Sequence, residues 1–223
     1  MAKLIIFDLD GVLASTSDEH FTAWKEVIKD RFNIDVEDYV EEFTKGVSRM
    51  DSLNEILDAY DLKVSDSDKE RLAYIKNEKY KELISKFNKT NLFNGVKELF
   101  EFLKSKNILI ALGSASKNGP ALLKSLGIED YFDFVVDPGP LQSKPHPDIF
   151  ISAMNHFLLN PGECIGIEDA ISGVKAIKSA HMLAIGIGKK NILKEADFVY
   201  DSIESIDFSF LEKLIKDNYE KTD

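Results

Sequence analysis

The chain has 223 residues, 44% of them hydrophobic, which is enough to bury a sizeable core in one or two domains. A formal charge of −11 argues against a surface built for nucleic acid or anionic lipid, and no apolar run approaches the length of a membrane span. Cys164 is the single cysteine, so an internal disulfide is excluded and a monomeric cytoplasmic protein is expected.

The first element is a strand. Leu4, Ile5, Ile6 and Phe7 form the continuous apolar run of a strand buried on both faces, the habit of a parallel sheet. It meets Asp8, Asp10 and Gly11 at its carboxyl end, where ligands gather in open α/β sheets. Alternation sends both carboxylates the same way, and Gly11 lets the backbone turn while staying close to a ligand. Two carboxylates about 4 Å apart repel by roughly 4 kcal/mol at an effective dielectric near 20. A hard divalent cation with oxygen ligands is the expected partner.

The pattern then turns helical. A helix capped by Ser17 carries Phe21, Trp24, Ile28 and Phe32 on one face. Shorter helices are predicted over 36–43 and, after a turn at 44–49, over 51–60. A long one covers 67–87, with Leu72, Ile75, Leu83 and Phe87 as its stripe. No strand interrupts this block, which reads as an inserted bundle.

From Asn94 helices and strands alternate. Asn94 caps a helix to 106, and strands are predicted over 108–113, 132–136, 164–167 and 183–187. Helices lie between them: one opened by Pro120 and ended by Gly127, one over 147–158 and one over 170–179. An edge strand over 198–200 and a helix over 208–216 close the chain. This alternation demands an α/β fold with a Rossmann-like parallel sheet covered on both faces. The core is expected over 1–13 and 92–223, with an α-helical cap inserted at 14–91 and a hinge at 14–16 and 91–93.

Polar residues follow the core strands. The second predicted strand ends in Ser114, Ala115, Ser116, Lys117 and Asn118 before a helix N-terminus, which suits a phosphate. Lys144 is pinned beside a Pro-x-Pro corner, and Glu168 and Asp169 end the fourth strand. Chance would rarely place these groups in this order at one sheet edge. The set resembles the haloacid dehalogenase superfamily, whose four short motifs are all present across the core. The resemblance implies strand order 3-2-1-4-5, with Asp8 as the nucleophile that takes phosphate and Asp10 as general acid/base. It further implies Mg²⁺ held by Asp8, the backbone carbonyl of Asp10 and Asp169, with Glu168 supporting the metal through water or a neighbouring ligand. Ser114 and Lys144 would hold the phosphoryl oxygens.

The cap narrows the likeness. Thr44, Lys45, Gly46, Val47, Ser48 and Arg49, with His20, Trp24, Lys76 and the run 114–120, resemble the sugar-phosphate mutases of that superfamily. These interconvert β-glucose 1-phosphate and glucose 6-phosphate through a bisphosphate. Between Arg31 and Lys63 the cap holds nine acids and only two cations, Lys45 and Arg49, on either side of Gly46. Arg49 with Ser116, Lys117 and Asn118 is expected to grip the phosphate that is not reacting. Lys76 either snorkels from its apolar stripe or faces the cleft near His20. Trp24 is expected in the core with an edge on the cleft. Three departures stand out: Ser15 where an acid is common, a short loop over 138–143, and Gly113 in place of alanine. The expected partner is a small sugar phosphate. The alternatives are a Mg²⁺-dependent sugar-phosphate phosphatase on the same fold and a non-enzymatic phosphate- or nucleotide-binding module.

Overall fold

In the computed structural model, which describes residues 1–216, Leu4–Phe7 form strand β1 with all four side chains fully buried. Residues 217–223 of the expected core lie outside the described residues. Four helices follow: α1 (Ser17–Phe32), α2 (Glu41–Thr44), α3 (Arg49–Ala59) and α4 (Asp66–Ile84). The remainder is α5 (Val96–Ser105), β2 (Leu109–Leu112), α6 (Gly119–Leu126), β3 (Phe134–Val135), α7 (Asp148–His156), β4 (Cys164–Glu168), α8 (Ile171–Ser179), β5 (Leu183–Ile187), β6 (Phe198–Tyr200) and α9 (Phe208–Lys216). The sheet is parallel throughout, in the order β3-β2-β1-β4-β5-β6. The order read from the sequence is present, and β6 extends it beside β5.

Alternation along β1 divides its side chains between two cores. Ile5 and Phe7 join Leu99, Phe100, Leu103, Leu122 and Leu211, so α5, α6 and α9 cover one face. Leu4 and Ile6 join Phe150, Val174 and Ile177, so α7 and α8 cover the other. Phe7 meets Phe100 edge to face, with ring centroids 5.2 Å apart. Each such fully buried side chain contributes about 1.5–3 kcal/mol. That burial fixes where β1 ends, and therefore where Asp8 sits.

The helical block has its own core, built from Trp24, Ile28, Leu53, Ile56, Leu57 and Leu72. Its two connections to the sheet touch. Ala14 and Leu92 form an antiparallel bridge, and the Phe93 amide donates to the Leu13 carbonyl at 2.9 Å.

Several boundaries differ from the predicted ones, each for a local reason. Thr16, not Ser17, takes the N-cap position of α1, yet it makes no cap bond because its hydroxyl donates to Asp10 instead. The helix predicted over 36–43 is a 3-10 turn at Asp38–Val40 running into the single turn of α2. Helix α3 starts at Arg49 because the Ser48 hydroxyl accepts from the Asp51 amide at 3.2 Å. Ser65 caps α4 in the same way, and that helix stops at Ile84. Gly95, in a left-handed conformation, precedes α5, so Asn94 is not its cap. Only two residues of the predicted third strand pair in β3.

Candidate active site

Asp8 ends β1, and its amide still donates to the Ile167 carbonyl of β4 at 3.0 Å. Its side chain is 3% exposed. The Lys144 ammonium lies 2.6 Å from Asp8 Oδ1 and 2.6 Å from Glu168 Oε1. Burial alone would lower the Lys144 pKa, but the two carboxylates hold it above the ordinary lysine value. Burial raises Glu168, against the pull of Lys144. The second Glu168 oxygen accepts from the Asp169 and Ala170 amides, each at 2.9 Å. Glu168 therefore fastens Lys144 to the backbone just before α8.

Gly11 makes room for the next acid. Its φ of +82° suits glycine, and a Cβ there would lie 2.0 Å from Asp169 Oδ2. Asp8, Glu168 and Asp169 each offer an oxygen within 4.8 Å of the others. Burial and the charges of Glu168 and Asp8 raise Asp169 well above its usual value. Three carboxylates against one buried ammonium leave negative charge that a hard divalent cation would offset. The donor set fits magnesium. Asp10 is outside this cluster because its carboxylate is turned to Thr16 and His20, which leaves its main-chain carbonyl as the group it offers.

A second cluster surrounds Asp10. Its Oδ1 accepts from the Thr16 hydroxyl and lies 3.6 Å from His20 Nε2. On the other side of the ring, His20 Nδ1 meets the Lys76 ammonium. Which of the two donates there follows the tautomer of the ring, whose other nitrogen faces Asp10. Burial, then Lys76 and Arg49, hold the His20 pKa well below its usual value. Burial also lowers Lys76 to about 7, with Arg49 adding to the fall. Asp10 is raised to about 6 by burial and by Asp8. Lys76 is 2% exposed, over the rings of Trp24 and Tyr80, so it faces the cleft and does not snorkel.

The helical block lies closed on the core over a cleft of about 380 Å³. The Ser48 amide donates to Ser143 Oγ at 2.6 Å, and the Ser172 hydroxyl donates to the Lys45 carbonyl at 2.9 Å. Between them Gly46, with φ +71°, sits so close that a Cβ would lie 2.7 Å from Ser172 Oγ. The lining holds Asp8, Asp10 and Lys144 with His20, Trp24, Lys76, Lys45, Gly46, Val47, Ser48, Arg49, Ala115, Ser116 and Lys117. Four predicted residues are not part of that lining. Ser114 is buried and accepts from the Ser116 amide at 3.1 Å, while Glu168 and Asp169 stand within 4.8 Å of Asp8. Asn118 reaches Arg49 only through Asn77, whose Oδ1 accepts from both.

Thr16, Asn77, Ser143 and Ser172 were not legible as site residues. Thr16 carried the one available signal, its place in the hinge. The predicted closing elements add no site residue. His146 pairs with Asp148 at 2.9 Å, and His156 stacks on Phe134. No helix among the described residues is long and apolar enough to cross a membrane.

Comparison with known proteins points the same way. The chain is 42% identical over 200 residues to the beta-phosphoglucomutase of Bacillus subtilis, covering 88% of each. It is 33% identical over 182 residues to a phosphorylated carbohydrates phosphatase of Thermotoga maritima, covering 80% of this chain and 81% of the relative. The crystal structure of a beta-phosphoglucomutase from Clostridium difficile superposes with a TM-score of 0.93 at 40% identity, over 97% of this chain and 98% of that one. The family model for haloacid dehalogenase-like hydrolases matches residues 2–181. Matched over residues 2–181, the chain belongs to the haloacid dehalogenase-like hydrolase family.

Proposed function

We propose that the protein is a Mg²⁺-dependent phosphomutase that interconverts β-glucose 1-phosphate and glucose 6-phosphate, with residues 14–91 acting as a cap over a core of 1–13 and 92–223. One observation carries the reading: Arg49, Ser116 and Lys117 line the same closed cleft as Asp8 and Lys144. A phosphatase needs only Asp8 and Lys144. A mutase must also hold a second phosphate while the first reacts.

Asp8 attacks as a carboxylate, and Lys144 and the Ser114 hydroxyl hold phosphoryl oxygens as their charge spreads. When bound at Asp8, Glu168, Asp169 and the Asp10 carbonyl, Mg²⁺ supplies charge neutralisation for the phosphoryl group. Asp10 accepts the proton of the sugar hydroxyl that takes phosphate from Asp8, and returns one when the other phosphate leaves. Its pKa near 6 suits both directions near neutrality. His20 orients Asp10, and Lys76 holds the other nitrogen of the His20 ring. The docked 45–48 loop excludes water that would otherwise hydrolyse phosphorylated Asp8.

The test is ³¹P NMR of the protein incubated with Mg²⁺, β-glucose 1-phosphate and a trace of glucose 1,6-bisphosphate. Glucose 6-phosphate is the expected product; free glucose and inorganic phosphate alone overturn the reading. The similarity to a phosphorylated carbohydrates phosphatase favours hydrolysis as the second reading. Arg49→Ala separates the two. It collapses transfer in a mutase and leaves the hydrolysis of small monophosphates nearly untouched.

A further inference from the structure

We propose that Asn77 is a positioning residue for the distal phosphate, aiming Arg49 of the cap and Asn118 of the core at one anion; this rests on the mutase reading. Asn77 lies on α4, one residue beyond Lys76, so neighbouring side chains of one helix reach two groups, Lys76 the His20 ring and Asn77 the Arg49–Asn118 pair. Its Oδ1 accepts from Arg49 Nη2 at 2.7 Å and from Asn118 Nδ2 at 3.0 Å. Arginine has donors only, which fixes the Asn77 oxygen toward it. A single acceptor therefore gathers donors from the two parts that must close on the substrate. Arg49 belongs to the first turn of α3, and Asn118 immediately precedes α6.

The chemistry of that acceptor matters. Arg49 is half-buried, and the oxygen holding it is a neutral amide rather than a carboxylate. A neutral partner orients the guanidinium fork and leaves its full charge for a dianion. An aspartate at the same position has nearly the same shape, but it would pair with Arg49 and compete with the phosphate. Asn77 thus sets both the direction of the cation and its availability. Glu78 follows on the exposed side of α4, accepts from Asn77 Nδ2 at 3.4 Å, and its charge raises the Arg49 pKa against burial.

The test is Asn77→Asp, alone and combined with Arg49→Ala, assayed with β-glucose 1-phosphate and separately with acetyl phosphate, a donor that lacks a distal anion. Asn77→Asp is expected to raise KM for the sugar phosphate about tenfold or more, with kcat changed by less than about threefold. The loss with sugar phosphate should exceed the loss with acetyl phosphate by about the same factor. In the Arg49→Ala background the added aspartate should change KM by less than about twofold. Equal losses on both donors, a fall in kcat alone, or an undiminished effect without Arg49 overturns the proposal. If Asn77→Asp does not fold, Asn77→Ser, which retracts the acceptor, is read by the same comparison. If the wild type only hydrolyses, the mutase reading falls alone. The KM comparison is then made on hydrolysis of glucose 1,6-bisphosphate, where a KM rise that does not need Arg49 still overturns the role of Asn77.

Discussion

The Lys144 ammonium and the Asp8 carboxylate are 2.6 Å apart, and both side chains are almost wholly shielded from solvent. Removing one partner of such a pair strands the other. Lys144→Ala leaves Asp8 and Glu168 uncompensated and should cost about 3–5 kcal/mol. In a chain of this size that lowers Tm by roughly 10 °C. The double variant Lys144→Met/Glu168→Gln removes two opposite charges and should recover part of the loss in calorimetry. A Lys144→Ala protein as stable as the wild type would show that other groups balance the two acids.

Asp10→Asn keeps the shape of the proposed general acid/base but cannot carry its proton. The expected effect is a fall in kcat of about 10²–10⁴ with KM within a few-fold. Asp8→Asn should abolish phosphorylation of the protein, which intact-mass spectrometry after acetyl phosphate treatment reads directly. Phosphate retained on the Asp8→Asn chain would place the nucleophile elsewhere.

Mg²⁺ should stabilise the fold, because Asp8, Glu168 and Asp169 converge within 4.8 Å and repel. Binding adds RT ln(1 + [L]/Kd), about 2.7 kcal/mol at a hundredfold excess over Kd. The raised Asp169 pKa means that protons compete with the metal. The shift in Tm should therefore be larger at pH 7.5 than at pH 5.5, and Asp169→Asn should abolish most of it. A metal-induced shift independent of pH would count against these ligands.

Lys76 gives a pH signature. Its pKa is about 7 in the folded protein, because of burial and then Arg49, against an ordinary lysine value of about 10.4 in the unfolded chain. Between those values the unfolded state binds the extra proton, so stability rises with pH. The cost of burying the ammonium is full below pH 7 and fades toward pH 10. Lys76→Met should thus raise Tm more at pH 6 than at pH 9.5, while impairing turnover. Equal shifts at both pH values would mean that Lys76 titrates normally.

The 45–48 loop offers a test of closure. Ser172→Ala deletes one hydrogen bond between α8 and the 45–48 loop, a change of about 0.5–1.5 kcal/mol, and should raise KM a few-fold. Gly46→Ala adds left-handed strain of about 1–2 kcal/mol and a collision with Ser172. It should raise KM more than Ser172→Ala does and lower Tm by a few degrees. Small-angle scattering should show the Gly46→Ala protein more open; an unchanged profile with normal KM would refute the docking.

The sheet and the acids were legible because their signals are local. β1 is an unbroken apolar run, and Asp8, Asp10, Lys144, Glu168 and Asp169 are residue types that seldom gather at strand ends without a task. The helix starts were less so. Ser17 and Asn94 look like caps, but Thr16 spends its hydroxyl on Asp10 and the chain enters α5 through Gly95. Asn77, Ser143 and Ser172 escaped for a related reason. Each is an ordinary polar residue whose partner lies 41, 95 or 127 positions away, and only the closed arrangement brings them together. The side chain of Lys76 was undecidable from its stripe, since a buried amine and a snorkelling one occupy the same helical position.

The bridge between Ala14 and Leu92 has a consequence for how this protein can be rebuilt. The polypeptide leaves the sheet and rejoins it at nearly one point, so everything between is a cassette plugged into a single socket. Grafting a foreign lid at that socket would change what Asp8 is allowed to meet, and would also strip Thr16, His20 and Lys76 from around Asp10.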